Sequence, residues 1–299
     1  MRHRIEYALL WPVVKLLGTL PRPMARAVAI LLAGAVYHLH GRLRRVGLRN
    51  LEIVYPEMPA AQRRKIVRGV FVSLGRQLAE FCRFPSYTRE NVSQVAVYEG
   101  FENFDEARRR GKGVLFLTAH LGGWEIGSFV HSIHGHTLRI VVRALDNPYL
   151  DRMVERYRTL HGNSTFDKQD FARGLISAMR DGETVGLLMD QNMTPPAGVF
   201  VDFLGIPACT ASGIARVALR TDASVVPAFT IWDDTRRKYR ITFAPRVVLE
   251  RTGDDERDVI QATQRFTSVI EEYVRKYPEQ WLWVHRRWKT RPEGGKPLY

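Results

Sequence analysis

A histidine and a glutamate five residues apart, in the stretch His120-Leu-Gly-Gly-Trp-Glu125, are the side chains of this sequence best suited by type to do chemistry. An imidazole held by a carboxylate can take a proton from a hydroxyl group, so the pair points to general-base activation of an alcohol. The spacing sets a condition. On a continuous helix each residue advances by about 100°, so positions five apart would diverge by about 140°. The motif therefore needs a bend. Glycines 122 and 123 permit one if a strand ends near Thr118 and a helix starts around Gly122 or Gly123, which would bring Glu125 back beneath His120.

The elements that must carry this turn follow from apolar periodicity. Residues 61 to 82 read as a helix, with Ile66, Val67, Val70, Phe71, Leu74 and Leu78 at helical spacing. A short strand over 95–99 leads to a helix over 101–110. Regular alternation follows: strand 113–118, helix 123–134, strand 138–143, helices 147–160 and 169–180, strand 184–190, helix 210–221 and strand 224–231. Residues 239–249 read as one more strand and 257–276 as a long outer helix. Strands separated by helices imply a largely parallel central sheet flanked by helices, an α/β fold. Ligands of such sheets sit beyond the carboxyl ends of the strands. His120, Arg143 and the pair Asp190-Gln191 each fall at such an end.

With 45% hydrophobic residues among 299, the chain has ample material for a core and is not disordered. Cys82 and Cys209 are isolated, which suggests neither a disulfide framework nor a cysteine metal site and fits a reducing compartment. Forty-five Lys and Arg against 31 Asp and Glu leave a formal charge of +14, which calls for an anionic partner. Arg42, Arg44, Arg45 and Arg49 follow an apolar N-terminal region, and Arg286, Arg287 and Lys289 lie among Trp281, Trp283 and Trp288. Basic residues beside apolar and indole side chains suit a membrane interface, with core packing of the tryptophans as the plainer alternative. Apolar stretches from Ile5 to Leu20 and from Ala27 to Leu39 are interrupted by Glu6, Pro12, Lys15, Pro21 and Pro23, so they read as an interfacial anchor rather than a clean span. A cleaved signal peptide ranks below anchoring because Pro12 and Lys15 spoil its apolar region. The expected organisation is an N-terminal membrane-associating helical segment over residues 1–40 and an α/β domain over 41–299.

Beyond the single motif, an ordered series of segments resembles the bacterial late lipid A acyltransferases, of lauroyl and myristoyl type, within the glycerolipid-acyltransferase superfamily. It comprises His120-Leu-Gly-Gly-Trp-Glu125, Arg143-Ala-Leu-Asp-Asn-Pro148 with Asp151, Gly186-Leu-Leu-Met-Asp-Gln191, Gly198 to Gly205, Ala208-Cys-Thr210, and Pro278 to Pro292. The resemblance runs from about residue 5 to Pro292. It implies a glycerolipid-acyltransferase-like fold and transfer of an acyl chain from acyl carrier protein to a hydroxyl of a lipid A precursor or related glycolipid, at the cytoplasmic face of the inner membrane. His120 would be the general base, Glu125 its orienting partner, and Arg143, Asn147, Asp190 and Gln191 would serve substrate binding. The chain departs from the family pattern at Ala144, where a proline is common, and at Gly123, where asparagine is common.

The expected reaction uses no cofactor, no metal and no covalent enzyme intermediate. Its oxyanion would be met by backbone N–H groups near Gly122 and Gly123 or by the Arg143 guanidinium, and Phe200, Val201, Phe203 and Leu204 are candidates for an acyl groove. Another glycolipid or glycerolipid acceptor is the close alternative. A metal-dependent hydrolase built on His131, His134 and His136 is a distant one, lacking a compact helical His-x3-His pair. A basic nucleic-acid-binding protein is disfavoured because no finger, RNA-binding aromatic signature or phosphate loop is present.

Overall fold

A computed structural model describes residues 1–166 and 171–299. Four helices come first: α1 (Arg2–Thr19), α2 (Arg22–Leu39), α3 (Gly41–Val54) and α4 (Ala60–Cys82). The alternating part follows with β1 (Ala96–Glu99), α5 (Phe101–Arg109), β2 (Val114–Thr118), α6 (Trp124–Ile133), β3 (Arg139–Val141), α7 (Pro148–Arg158), β4 (Ser164–Phe166), α8 (Phe171–Arg180) and β5 (Thr184–Leu188). Then come β6 (Gly198–Phe203), β7 (Ile206–Ala211), α9 (Gly213–Thr221), β8 (Ser224–Asp233), β9 (Lys238–Phe243) and α10 (Asp255–Lys276). Seven strands form one sheet in the order β1-β9-β8-β2-β5-β3-β4, in which only the β8–β9 pair is antiparallel.

The sheet is buried on both faces, as its near-continuous apolar strands require. Successive side chains of a strand point to opposite faces. On β2, Val114 and Phe116 join a core with Phe104, Ile126, Phe129 and Phe243, whereas Leu115 and Leu117 join a second core with Leu175, Ile214, Phe266 and Trp281. Burying a side chain of this size stabilises by about 1.5–3 kcal/mol, so the register of β2 is firmly set.

Several expectations need correction. The helix expected over 169–180 is present over Phe171–Arg180, and residues 169 and 170 lie outside the described residues. The strand expected over 239–249 stops at Phe243. Residues 206–211, the end of which overlaps the helix expected over 210–221, form β7 and pair antiparallel with β6. Leu204 and Gly205, both at positive φ, close that hairpin as a two-residue turn whose twist matches the strands. Phe203 and Leu204 are core residues, Phe203 lying 5.4 Å from Trp281, and Val201 is buried, whereas Phe200 is half-buried. Trp281, Trp283 and Trp288 are fully buried rather than interfacial.

The N-terminal helices behave differently. Leu9, Leu16, Met24, Leu31, Val36 and Leu39 all stand more than 40% exposed, which is unusual for so many large apolar side chains in one region. Among the described residues no single helix is long and apolar enough to cross a membrane; α2 and α3, bent by 83°, pass such a test only as a pair.

Candidate active site

The three loops singled out above meet because β2, β5 and β3 are adjacent parallel strands, so their carboxyl ends open on the same side. After β2 the chain turns sharply through Leu121, Gly122 and Gly123 before α6 begins at Trp124. Gly122 sits at φ +63°, and a Cβ there would lie 2.1 Å from the Thr230 carbonyl oxygen, so no other residue fits this turn. Gly123 is also enforced: an added Cβ would meet the Tyr239 ring at 2.7 Å. The aromatic ring of Tyr239 takes the space that a larger side chain would need.

This turn is strapped from behind by the segment following α10 and by β8. Gly122 N–H donates to the Gln280 carbonyl at 2.9 Å, Leu282 N–H to the His120 carbonyl at 3.0 Å, and Gly123 N–H to the Thr230 carbonyl at 2.7 Å. Two of the backbone donors expected to meet an oxyanion are therefore already committed. Their hydrogen bonds hold the turn instead.

His120 finds its carboxylate across the sheet, not along the chain. Its Nδ1 donates to Asp190 Oδ1 at 2.8 Å, and its backbone N–H donates to Asp190 Oδ2 at 3.0 Å. Trp281 Nε1–H donates to the same Oδ2 at 2.8 Å, leaving Asp190 only 2% exposed. Both carboxylate oxygens are thus satisfied and the imidazole is locked in orientation and tautomer. The proton on Nδ1 leaves Nε2 as the basic nitrogen, where the Gln191 amide approaches at 3.3 Å.

Glu125, expected to orient His120, is instead held by Arg158, which donates from Nε to Oε2 at 2.9 Å and from Nη2 to Oε1 at 2.5 Å. A two-pronged pair of this geometry fixes the carboxylate firmly. The physical reason is the start of α6: the turn brings Glu125 to the same cavity as His120 but directs it toward α7, where Arg158 lies. Its charge still acts on the imidazole through space.

His120, Glu125, Arg143, Arg158 and Gln191 line one cavity of about 320 Å³, walled on its apolar side by Leu138, Ile140, Val142 and Leu187. Arg143 is exposed and has no ion-pair partner among the described residues. Asn147 is not brought there: it is buried, caps α7 by accepting from the Tyr149 and Leu150 N–H groups, and donates to the His3 carbonyl and Glu6 of α1. Asp190, expected to bind substrate, is sealed beneath His120. Sequence reasoning missed Arg158 and the role of Trp281; the local signal was a run of tryptophans that reads as interfacial or, more plainly, as core.

Electrostatics favour a basic imidazole. Burial would lower the pKa of His120, but the charge and hydrogen bond of Asp190, with a smaller contribution from Glu125, outweigh it and raise the pKa above the ordinary 6.5. The same partnership holds the Asp190 carboxyl below its usual range despite complete burial. Fully buried Arg287 adds positive charge near Asp190, and burial lowers its own pKa to about 10. A base must be unprotonated to act, so kcat/KM is expected to rise with pH through a midpoint above 6.5. A pH–rate profile checks this, and a midpoint below the ordinary histidine range would contradict the assigned pairing.

The three histidines of the metal alternative do not converge as ligands. His131 Nδ1 is 3.0 Å from the Tyr98 hydroxyl, its ring packs among Phe104, Phe116 and Phe243, and burial depresses its pKa to about 3. Among the described residues there is no group of three or more His, Cys, Asp or Glu arranged to hold a metal ion.

A mostly parallel α/β sheet, with a carboxylate-braced histidine and an arginine over one cleft at its strand ends, has the layout of an enzyme site. The chain belongs to the bacterial lipid A biosynthesis acyltransferase family, whose model it matches over residues 1–290, and it is an acyltransferase. It is 28% identical to the lipid A biosynthesis lauroyltransferase of Escherichia coli K12 over 296 residues, covering 97% of this chain and 92% of that protein. The palmitoleoyltransferase of the same organism is 26% identical over 97% of this chain and 89% of its own length, and the myristoyltransferase 28% over 84% and 76%.

Proposed function

We propose that this enzyme performs a late acylation of lipid A, moving a fatty acyl chain from acyl carrier protein to a hydroxyl of a lipid A precursor. The reading is supported most by one observation: His120, backed by Asp190, opens on the cavity that Arg143 also lines. Neutral His120 removes the acceptor's hydroxyl proton through Nε2 as the oxygen attacks the thioester carbonyl. A C–O bond forms, the tetrahedral intermediate collapses, the C–S bond breaks, and the imidazolium returns its proton to the departing thiolate. Asp190 keeps the tautomer and steadies the imidazolium. Arg143, uncommitted to any carboxylate, meets the developing oxyanion, a contribution typically worth about 3 kcal/mol of barrier. Glu125 and Arg158 form one wall of the cleft, and the Glu125 charge reinforces the basicity of His120. The acyl chain lies along Leu138, Ile140, Val142 and Leu187.

The exposed leucines of α1 and α2 rest on the cytoplasmic face of the inner membrane as an interfacial anchor, residues 1–40 serving as the membrane-associating segment. The net charge of +14 favours both an acidic carrier protein and a phosphorylated lipid. The test is an assay of purified protein with labelled acyl carrier protein, labelled acyl-CoA and a panel of hydroxylated lipids. Label is expected to pass from the carrier protein to a lipid A precursor; transfer only to a glycerolipid, or only from acyl-CoA, would overturn the respective assignment.

A further inference from the structure

A second cavity, of about 320 Å³, lies away from the catalytic cleft between α2, α4 and the β8–β9 hairpin, and Arg26, Arg76, Trp232 and Arg237 line it. Its charge is unbalanced. Arg26 is only 8% exposed, and its nearest carboxylate is Glu80 at 3.9 Å. Glu80 is itself fully buried and already bound by Arg22 at 2.8 Å and by the Tyr87 hydroxyl. Arg76 pairs with Asp234 at 3.0 Å, and that carboxylate also accepts from Trp232 Nε1 at 2.7 Å. Three guanidinium groups, from Arg22, Arg26 and Arg76, therefore meet two carboxylates, and that of Arg237, whose carbonyl accepts from Arg26 at 3.4 Å, pairs with none among the described residues. Arg26 and Arg76 spread over the Trp232 ring at 5.0 and 4.9 Å, which eases but does not neutralise their charge. A buried, unneutralised guanidinium is costly, and burial together with the neighbouring Arg22 lowers the pKa of Arg26. An anion would remove that cost.

The surroundings select the kind of anion. The remaining wall is Asp234, whose carboxylate is taken up by Arg76 and Trp232, and Pro23, Ala27 and Ile30 of α2. Met24 and Leu31 neighbour Ala27 on the helix surface, three positions before it and four after, and both stand exposed at 54% and 73%. The polar cavity thus passes without a break into an exposed apolar face. That is the order of a lipid headgroup followed by its chains.

We propose that this cavity binds the phosphate of an anionic membrane phospholipid, with the lipid's chains laid along the exposed face of α2. The site rests on the membrane face proposed above and fixes its orientation: the arginine cavity must lie at headgroup depth. Arg26 and Arg76 take the phosphate oxygens, Arg237 closes the rim, and Trp232 sits beside them where an indole suits the interface.

The test is co-sedimentation with vesicles of phosphatidylcholine alone and of phosphatidylcholine mixed with phosphatidylglycerol. The double variant Arg76→Gln/Arg237→Gln is compared with Arg220→Gln/Arg257→Gln, which removes equal charge from α9 and α10. The cavity variant is expected to lose about tenfold in partitioning onto the mixed vesicles while keeping its binding to phosphatidylcholine. Equal losses in the two doubles would overturn the site. Short-chain dihexanoyl phosphatidylglycerol should raise the melting temperature of the parent protein and not of the cavity variant; an equal rise with inorganic phosphate would reassign the site to free phosphate and overturn the lipid. Leu9→Glu/Leu31→Glu should lose both kinds of vesicle. If the parent protein binds neither kind, the membrane face fails, and the soluble-lipid measurement still decides the phosphate site.

Discussion

His120→Ala is expected to lower kcat/KM by about 10³-fold or more, the scale of losing a positioned general base. The fold should survive the change. Asp190 keeps the Trp281 indole and the backbone N–H of residue 120 as donors, so the buried carboxylate is not orphaned. Comparison of acyl transfer rates with far-ultraviolet circular dichroism separates lost chemistry from lost structure. Near-normal transfer by a folded His120→Ala enzyme would remove the base from the mechanism.

Asp190→Asn should cost nearly as much, about 10³- to 10⁴-fold, because an amide facing Nδ1 can donate and so drive the imidazole proton onto Nε2, the nitrogen that must accept. Whatever activity remains should titrate lower. Removing the carboxylate charge withdraws the main influence that raises the pKa of His120, so the acid limb of the rate profile moves down in pH. Glu125→Gln tests the competing assignment. Its carboxylate is bound to Arg158 and reaches His120 only through space, so its loss should be about tenfold smaller than that of Asp190. The opposite ranking would return the orienting role to Glu125.

These contrasts show what could be read from residue order alone. His120, Arg143 and Asp190 were legible because each ends an apolar run, and in a parallel sheet strand ends converge regardless of the details between them. The partner of His120 was not legible. Glu125 is close in sequence, whereas Asp190 is 70 residues away and becomes a neighbour only because β2 pairs with β5. Strand order leaves no local spacing to detect. The β6–β7 hairpin escaped for a different reason: its turn is Leu204-Gly205, and the leucine hides a positive φ that Asn or Asp would have advertised. The tryptophan-rich segment is visible but ambiguous, since indoles with adjacent arginines look alike whether they face lipid or a core, and the core alternative is the one the structure shows.

That segment has a bearing on biosynthesis. Trp281, which seals Asp190, lies 91 residues beyond it, and Leu282 fastens the backbone of His120. A nascent polypeptide therefore carries its reactive histidine long before the clamp that orients it has been translated. Contacts so distant along the chain close late in folding. On the mechanism proposed above, activity is expected only once the segment carrying Trp281 and Leu282 has docked.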